Sequence, residues 1–264
     1  MSRFDAAAPT YDIHRGLPAH VVGAIRAAVL GALGALGAAS RPRVLDLGAG
    51  SGRIGRAFVA AGDEYVGADV SLGMLRHFAR RADIGGHAPR LVQADGERLP
   101  FADATFDAVL LIQVFGGLDE WRPFVGEARR VLRAHGTLVL GRTAMPEDGV
   151  DARMKERLDA VLVDLGIAHE RTNAREHVQH WLGSTAAGGA PVAAAAWDAE
   201  RTPRGFLERH RTGARFSLLP EPIKDESLRR LAAWALTEFG SLDAPSTERH
   251  TFELRTFTFH GEAR

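Results

Sequence analysis

The chain has 264 residues, enough for one large α/β domain or one domain with a substantial insertion, and its 45% hydrophobic and 25% charged shares are those of an ordinary globular protein. Its 33 basic and 33 acidic residues cancel, which excludes a strong field for nucleic acid or an anionic membrane, so neither is expected as a partner. The lack of cysteine excludes disulfides, thiol nucleophiles and cysteine zinc sites, and it fits a reducing cytoplasm, the expected location.

Residues 1–18 are short and polar, with Phe4, Tyr11-Asp12 and His14-Arg15-Gly16. A helix is expected over 19–39, because Val22, Ile25, Val29, Leu33 and Leu36 fall at helical spacing. Its uninterrupted apolar run begins only after Arg26 and is too short to span a bilayer. Arg41-Pro42 stops this helix before the first strand, Val44, Leu45 and Leu47.

That strand runs into Gly48-Ala49-Gly50-Ser51-Gly52 and then a helix from about Arg53, the strand–turn–helix unit at which open α/β sheets bind ligands. Two ligands compete for the turn. Gly50, Gly52 and Gly55 satisfy G-x-G-x-x-G, and Asp69 stands 19 residues past Gly50, as in a dinucleotide site. Asp46, two residues before the first glycine, points the other way. A carboxylate at the mouth of the turn would repel a pyrophosphate but suits a ligand with an ammonium group and no phosphate, such as S-adenosylmethionine.

Strand 2 is Tyr65–Asp69, with Ser71 as the cap of the helix that follows. An acid at the end of this strand can accept both ribose hydroxyls of an adenosine. Leu91–Asp95 is strand 3, followed by Gly96-Glu-Arg-Leu-Pro-Phe101. Residues 105–112 give strand 4, apolar almost throughout as befits a strand buried on both faces. Helix 120–133 carries Trp121, Phe124, Val125, Ala128, Val131 and Leu132 on one face, and strand 5 is entered through a turn at Gly136.

Asp46-x-Gly48-x-Gly50-x-Gly52 resembles motif I of the class I S-adenosylmethionine-dependent methyltransferases, and Gln93–Phe101 resembles their adenine-binding loop. With Asp69 and Phe106-Asp107 in order over residues 43–142, the chain resembles the small-molecule methyltransferases of the ubiquinone and menaquinone C-methyltransferase type. The resemblance implies a doubly wound, seven-stranded, mainly parallel sheet whose last strand is antiparallel, and methyl transfer from S-adenosylmethionine to a small-molecule acceptor. It carries the cofactor contacts to Asp46, Gly48, Ala49, Gly50, Gly52, Asp69, Val70, Met74, Asp95, Gly96, Ile112 and Gln113. Tyr11 joins them, since a Tyr-Asp pair near the start of such chains lies in a segment that folds over the cofactor. Where relatives show a His-His pair after strand 4, this chain has Phe115-Gly116-Gly117-Leu118. It also lacks the Asn/Asp-Pro-Pro-Tyr of enzymes that methylate bases or glutamine.

The second half is expected to supply helices over 151–165, 174–183 and 225–239, and another from Thr202-Pro203. Strands are expected at 192–197 and at 251–259, where apolar and polar residues alternate. One domain over 1–264 would then have its core in 40–142, 174–200 and 248–261, with cap segments 1–18, 143–173 and 202–246. Phe115, Arg142, Arg215, Phe216 and His14 are candidates for the acceptor side, and no catalytic base stands out. His177 and His180 lack a third ligand, so no metal is expected. The alternatives are an NAD(P)-dependent oxidoreductase using Gly50, Gly52 and Gly55, or a non-catalytic S-adenosylmethionine-binding protein.

Overall fold

The computed structural model describes residues 5, 11–81, 84–118, 120–167, 174–211, 216 and 219–259, with the backbone alone for 13, 14 and 117. After a one-turn helix α1 (Tyr11–Arg15) and the longer α2 (Ala19–Ala35), strands and helices alternate: β1 (Val44–Leu47), α3 (Gly55–Ala60), β2 (Tyr65–Asp69), α4 (Leu72–Ala79), β3 (Arg90–Gln93), β4 (Phe106–Ile112), α5 (Trp121–Val131) and β5 (Leu132–Ala144). These five strands lie parallel in the order β3-β2-β1-β4-β5, so the chain reverses its direction of travel across the sheet between β1 and β4. That reversal opens a crevice at the carboxyl ends of the strands.

The second half adds α6 (Val150–Asp164), α7 (Ala174–Thr185), the two-residue β6 (Ala187–Gly188), β7 (Val192–Arg201), α8 (Pro203–Arg211), α9 (Glu221–Phe239) and β8 (Ser246–Thr258). β8 lies antiparallel on β5, with Leu138 opposite Phe257 and Arg142 opposite Glu253, and β6 and β7 both pair antiparallel with β8. The expected seven-stranded, mainly parallel sheet with an antiparallel last strand is present. The short β6, formed inside an expected loop, makes an eighth strand.

Burial explains the layers. β4 is buried on both faces and supplies both cores. Phe106, Val109 and Leu111 pack with Leu138, Leu140 and Phe257 under α5 and α7. Ala108, Leu110 and Ile112 pack with Val139, Phe252 and Leu254 under Val21, Ile25 and Val29 of α2, Phe58 of α3 and Phe78 of α4. A third cluster, Met154, Leu158, Phe206, Phe216, Leu228 and Leu231, joins α6, α8 and α9 to one another. Strand 5 begins earlier than expected, directly after α5. Residues Leu132–Gly136 form an irregular first stretch, with His135 at φ 63° and a register shift opposite Phe106 and Ala108. Among the described residues, no helix is long and apolar enough to cross a membrane.

Candidate cofactor site

The site begins where β1 ends. The N–H groups of Gly48 and Ala49 both donate to the carbonyl of Ala68, at 2.8 and 3.0 Å, carrying the chain over the end of β2. Gly48, Gly50 and Gly52 have φ of 86°, 55° and 77°, a region side chains rarely enter. Their surroundings differ. A Cβ at Gly48 would lie 2.4 Å from Val114 and one at Gly52 2.1 Å from the Phe78 ring, whereas at Gly50 the nearest atom is a carbonyl oxygen at 3.9 Å. Gly48 and Gly52 are therefore required by the protein's own packing, and Gly50 is open on the side a ligand would approach.

The dinucleotide pattern has a similar internal explanation. A Cβ at Gly55 would meet the Tyr65 hydroxyl at 2.0 Å, so two of its three glycines are filled from inside. The helix that follows, Gly55–Ala60, is a turn and a half long, a poor anchor for a pyrophosphate.

Asp69 closes the turn from the next strand. One carboxylate oxygen accepts the N–H of Gly50 at 2.8 Å and the other the N–H of Ser71 at 2.8 Å. A carboxylate offers about four acceptor sites, so each oxygen keeps one for a hydroxyl. Burial raises the Asp69 pKa, and the two backbone hydrogen bonds act against that rise.

Asp46 lies elsewhere than the mouth position expected of it. Its side chain shares a face with Tyr65, is 4% exposed, and accepts the Tyr65 hydroxyl at 2.8 Å beneath the turn. Burial pushes its pKa up to about 7; the Tyr65 hydrogen bond opposes the rise and the charge of Asp69 adds to it. The reason is register. Asp46 pairs with Gly67, whose missing side chain leaves room for the phenol of Tyr65 two residues earlier.

The remaining cofactor candidates divide by exposure. Val70 is 49% exposed directly after Asp69, and its carbonyl accepts from the Gln93 side chain at 3.2 Å. Asp95 is exposed and turns the chain after β3, accepting the Glu97 N–H at 3.0 Å; Gly96 is buried, and a Cβ there would meet the Phe124 ring. Ala49, Met74 and Ile112 are buried supports. The Met74 N–H donates to the cap hydroxyl of Ser71, and Ile112 packs toward Gly141. Gln113 stands at the tip of β4 with φ 55°, and its amide donates to Thr143 at 2.9 Å while its oxygen accepts from Arg53.

Over the turn lies α1. Asp12 accepts from the Ser51 hydroxyl at 2.6 Å and pairs with Arg81. Arg53 donates to the carbonyl of Arg15 and Arg56 to that of Leu17, both at 2.8 Å. Tyr11 is half-buried, its ring 4.8 Å under the Arg15 guanidinium. Asp5 takes the Ser71 hydroxyl at 2.6 Å and the Gly73 N–H at 2.9 Å, at the start of α4. Asp12, Arg15 and Arg53 are not among the residues to which the family resemblance carries a cofactor contact, although the strings Tyr-Asp and Gly-x-Gly-Arg contain two of them.

The acceptor-side candidates do not converge. Phe115 is buried in the core under α5 and α7, and Phe216 is buried among the cap helices, away from the mouth expected of it. Arg142 is exposed and pairs with Glu253 across the sheet at 2.7 Å. Arg215 and the side chain of His14 lie outside the described residues. Among the described residues no group of three or more metal-ligating side chains occurs.

Residues 45–140 match a family model described as a methyltransferase domain. The chain is similar to the demethylmenaquinone methyltransferase of Renibacterium salmoninarum, at 34% identity over 147 residues, 55% of this chain and 59% of that one. It is 37% identical to the demethylmenaquinone methyltransferase of Thermus thermophilus over 109 residues, 40% and 50% of the two chains. The chain thus spans little more than half the length of the curated relatives it matches. Among solved structures it resembles the YcgJ protein of Bacillus subtilis, with a TM-score of 0.55 at 19% identity over 90% of this chain and all of that one, a likeness of fold. Residues 45–140 are thus similar to a methyltransferase domain, and the curated relatives that match the chain are named as demethylmenaquinone methyltransferases.

Proposed function

We propose that this protein transfers a methyl group from S-adenosylmethionine to a small-molecule acceptor, with neither nucleic acid nor membrane as partner. The observation that carries this reading is the pairing of Asp69 with the open face of Gly50. A carboxylate already oriented by two backbone amides, beside a backbone that a ligand can approach, fits the ribose of an adenosine. Exposed Val70 offers an apolar surface next to it for the adenine ring, and the Asp95-Gly96 turn an acceptor for the exocyclic amine.

Methyl transfer is an in-line displacement at a sulfonium methyl, so the cofactor supplies the electrophile and the protein aligns and desolvates the nucleophile. In this chain Asp69 and the glycine turn orient the cofactor. α1, fastened through Asp12 and Arg15, excludes water from one side. Gln113, held between Arg53 and Thr143, sets the edge at the tips of β4 and β5.

Calorimetry with S-adenosylmethionine, S-adenosylhomocysteine, NAD and NADP tests the proposal. Micromolar binding of the first two and none of the last two is expected, and tight binding of NAD or NADP alone would overturn it. The oxidoreductase alternative gains nothing from the two curated relatives reported above, both of which are named as methyltransferases. Radiolabelled methyl transfer into small-molecule pools separates an enzyme from a protein that only binds the cofactor.

A further inference from the structure

With Asp46 sealed beneath the glycine turn, the charged end of the proposed cofactor needs another partner, and the residue that follows the turn can supply one. Arg53 comes directly after Gly52 and is half-buried. Its guanidinium donates through Nη1 to the carbonyl of Arg15 at 2.8 Å and through Nη2 to the amide oxygen of Gln113. Both acceptors are neutral. The acids around the turn are engaged elsewhere: Asp12 with Arg81 and Ser51, Asp46 with Tyr65, and Asp69 with the amides of Gly50 and Ser71. Among the described residues no carboxylate pairs with Arg53.

A guanidinium cannot shed its charge in a protein, and it carries five N–H donors in a fixed fork. Two of those donors are taken by neutral oxygens, which orient the Arg53 fork and leave its charge whole. Gln113 does this from a costly position. Its backbone is held at φ 55°, its N–H donates to the carbonyl of Gly141 at 3.1 Å, and its side-chain amide donates to Thr143 at 2.9 Å. A residue kept in the left-handed region by several contacts at once marks a place where side-chain aim matters. Arg15 lies close enough that its charge adds to the positive potential at Arg53.

We infer that Arg53 is the anion anchor of the cofactor site, its unused N–H groups taking the carboxylate of the methionine tail of S-adenosylmethionine. This rests on the methyltransferase reading. The turn runs from Gly48 to Gly52; Asp69 takes the amide of Gly50 in its middle, and Arg53 stands where it ends. The two residues thus offer opposite charges along one turn, an acid for ribose hydroxyls and a guanidinium for a carboxylate, the pairing that guanidinium forks favour. The same guanidinium holds the carbonyl of Arg15, the last residue of α1, so a carboxylate on Arg53 also steadies the helix over the turn. Gln113 is a positioning residue for Arg53, and a Glu in its place would quench the charge it now aims.

The test is calorimetry on the full chain with four ligands: S-adenosylmethionine, its decarboxylated form, S-adenosylhomocysteine, and methylthioadenosine, which lacks the amino-acid tail. The parent should bind S-adenosylmethionine at least tenfold more tightly than the decarboxylated form, which keeps the amine and the sulfonium. Arg53→Gln should weaken the two carboxylate-bearing ligands at least tenfold more than the two that lack the carboxylate. Arg53→Lys, which restores the charge but not the fork, should recover part of that loss. A residue that only pins α1 would weaken all four ligands alike in Arg53→Gln, and an anion site reserved for the methyl acceptor would leave all four unchanged; either result overturns the inference. If Arg53→Gln does not fold, Gln113→Glu takes its place. Its carboxylate competes for the guanidinium and should weaken S-adenosylhomocysteine at least tenfold more than methylthioadenosine, and equal effects on the two overturn the inference. Failure of the parent to bind any of the four would overturn the methyltransferase reading and this inference with it, whereas the results above sink the inference alone.

Discussion

The carboxylate of Asp12 accepts the hydroxyl hydrogen bond of Ser51 at 2.6 Å, fastening the N-terminal helix to the middle of the glycine turn. Ser51 is 1% exposed, so this contact is sealed from solvent on the turn's side, and Arg81 supplies the charge that Asp12 needs there. α1 is a single turn and cannot hold itself together in water. Its place is set by what it touches, namely Ser51, Arg53, Arg81 and, through Arg15, the backbone of α8.

Asp12→Ala should therefore release α1 without unfolding the sheet. S-adenosylhomocysteine should dissociate about tenfold faster, corresponding to loss of one charge-assisted hydrogen bond of roughly 1.5 kcal/mol. Stopped-flow displacement measures the rate. A variant that releases cofactor at the parent's rate would show that α1 does not cover the site.

Asp69 is the second position. Asp69→Ala should weaken S-adenosylhomocysteine by about 1.5–3 kcal/mol for each hydroxyl hydrogen bond lost, as read by calorimetry. The same change leaves the Gly50 and Ser71 amides without their acceptor, so the turn itself should loosen. Asp69→Asn separates the two effects. Its amide oxygen can still accept one backbone N–H, and fold stability should recover more than cofactor affinity.

The glycines offer a sharper contrast. Gly52→Ala drives a methyl into the Phe78 ring and should cost several kcal/mol of stability. Gly50→Ala meets only the Gly48 carbonyl oxygen, at an ordinary contact distance of 3.9 Å, and carries only the left-handed backbone penalty, about 1–2 kcal/mol. It should nevertheless lower cofactor affinity at least tenfold, because the added methyl projects where the ligand approaches. Equal effects of Gly50→Ala on melting temperature and on affinity would place the ligand elsewhere.

Much of the fold was legible because βαβ units announce themselves. β1, β2 and β4 are short apolar runs between glycine or proline breaks, and α5 has its apolar face written at helical spacing. Asp69 was legible for the same reason, since the end of a strand is readable from the strand. Asp46 was not. One strand gives its side chain's face but not the neighbour on it, and Tyr65 reaches it only through the gap at Gly67. Phe216 was misplaced on similar grounds, its apolar contacts lying across α6 and α9 and not beside it in sequence. The partners of Arg53 were illegible altogether, because they come from α1 and from the tip of β4, far from it in the chain.

The last prediction concerns pH, where two buried groups oppose each other. Asp46 is raised from 3.8 to about 7, chiefly by burial, so the folded chain holds a proton that the unfolded chain releases. Its contribution is complete below about pH 4 and is lost as pH rises through 7, on the order of 4 kcal/mol in all. His210 is lowered from 6.5 to about 4, again chiefly by burial, where its ring stacks on Phe206 at 3.7 Å. Its contribution is present above pH 6.5 and is lost as pH falls toward 4, about 3 kcal/mol. Between pH 4 and 6.5 the two slopes have opposite signs, so stability contributed by this pair changes little. Single variants unmask each slope. Asp46→Asn, whose amide oxygen can still accept from Tyr65, should exceed the parent in stability at pH 8 and match it near pH 4. It should then lose stability on acidification below pH 6.5, with His210 unopposed. His210→Gln should do the reverse and gain stability as the pH is lowered from 7 to 4.5. Urea melts of the three proteins across pH 4–8 measure this; parallel curves for parent and Asp46→Asn would show that Asp46 is ionised in the folded protein throughout.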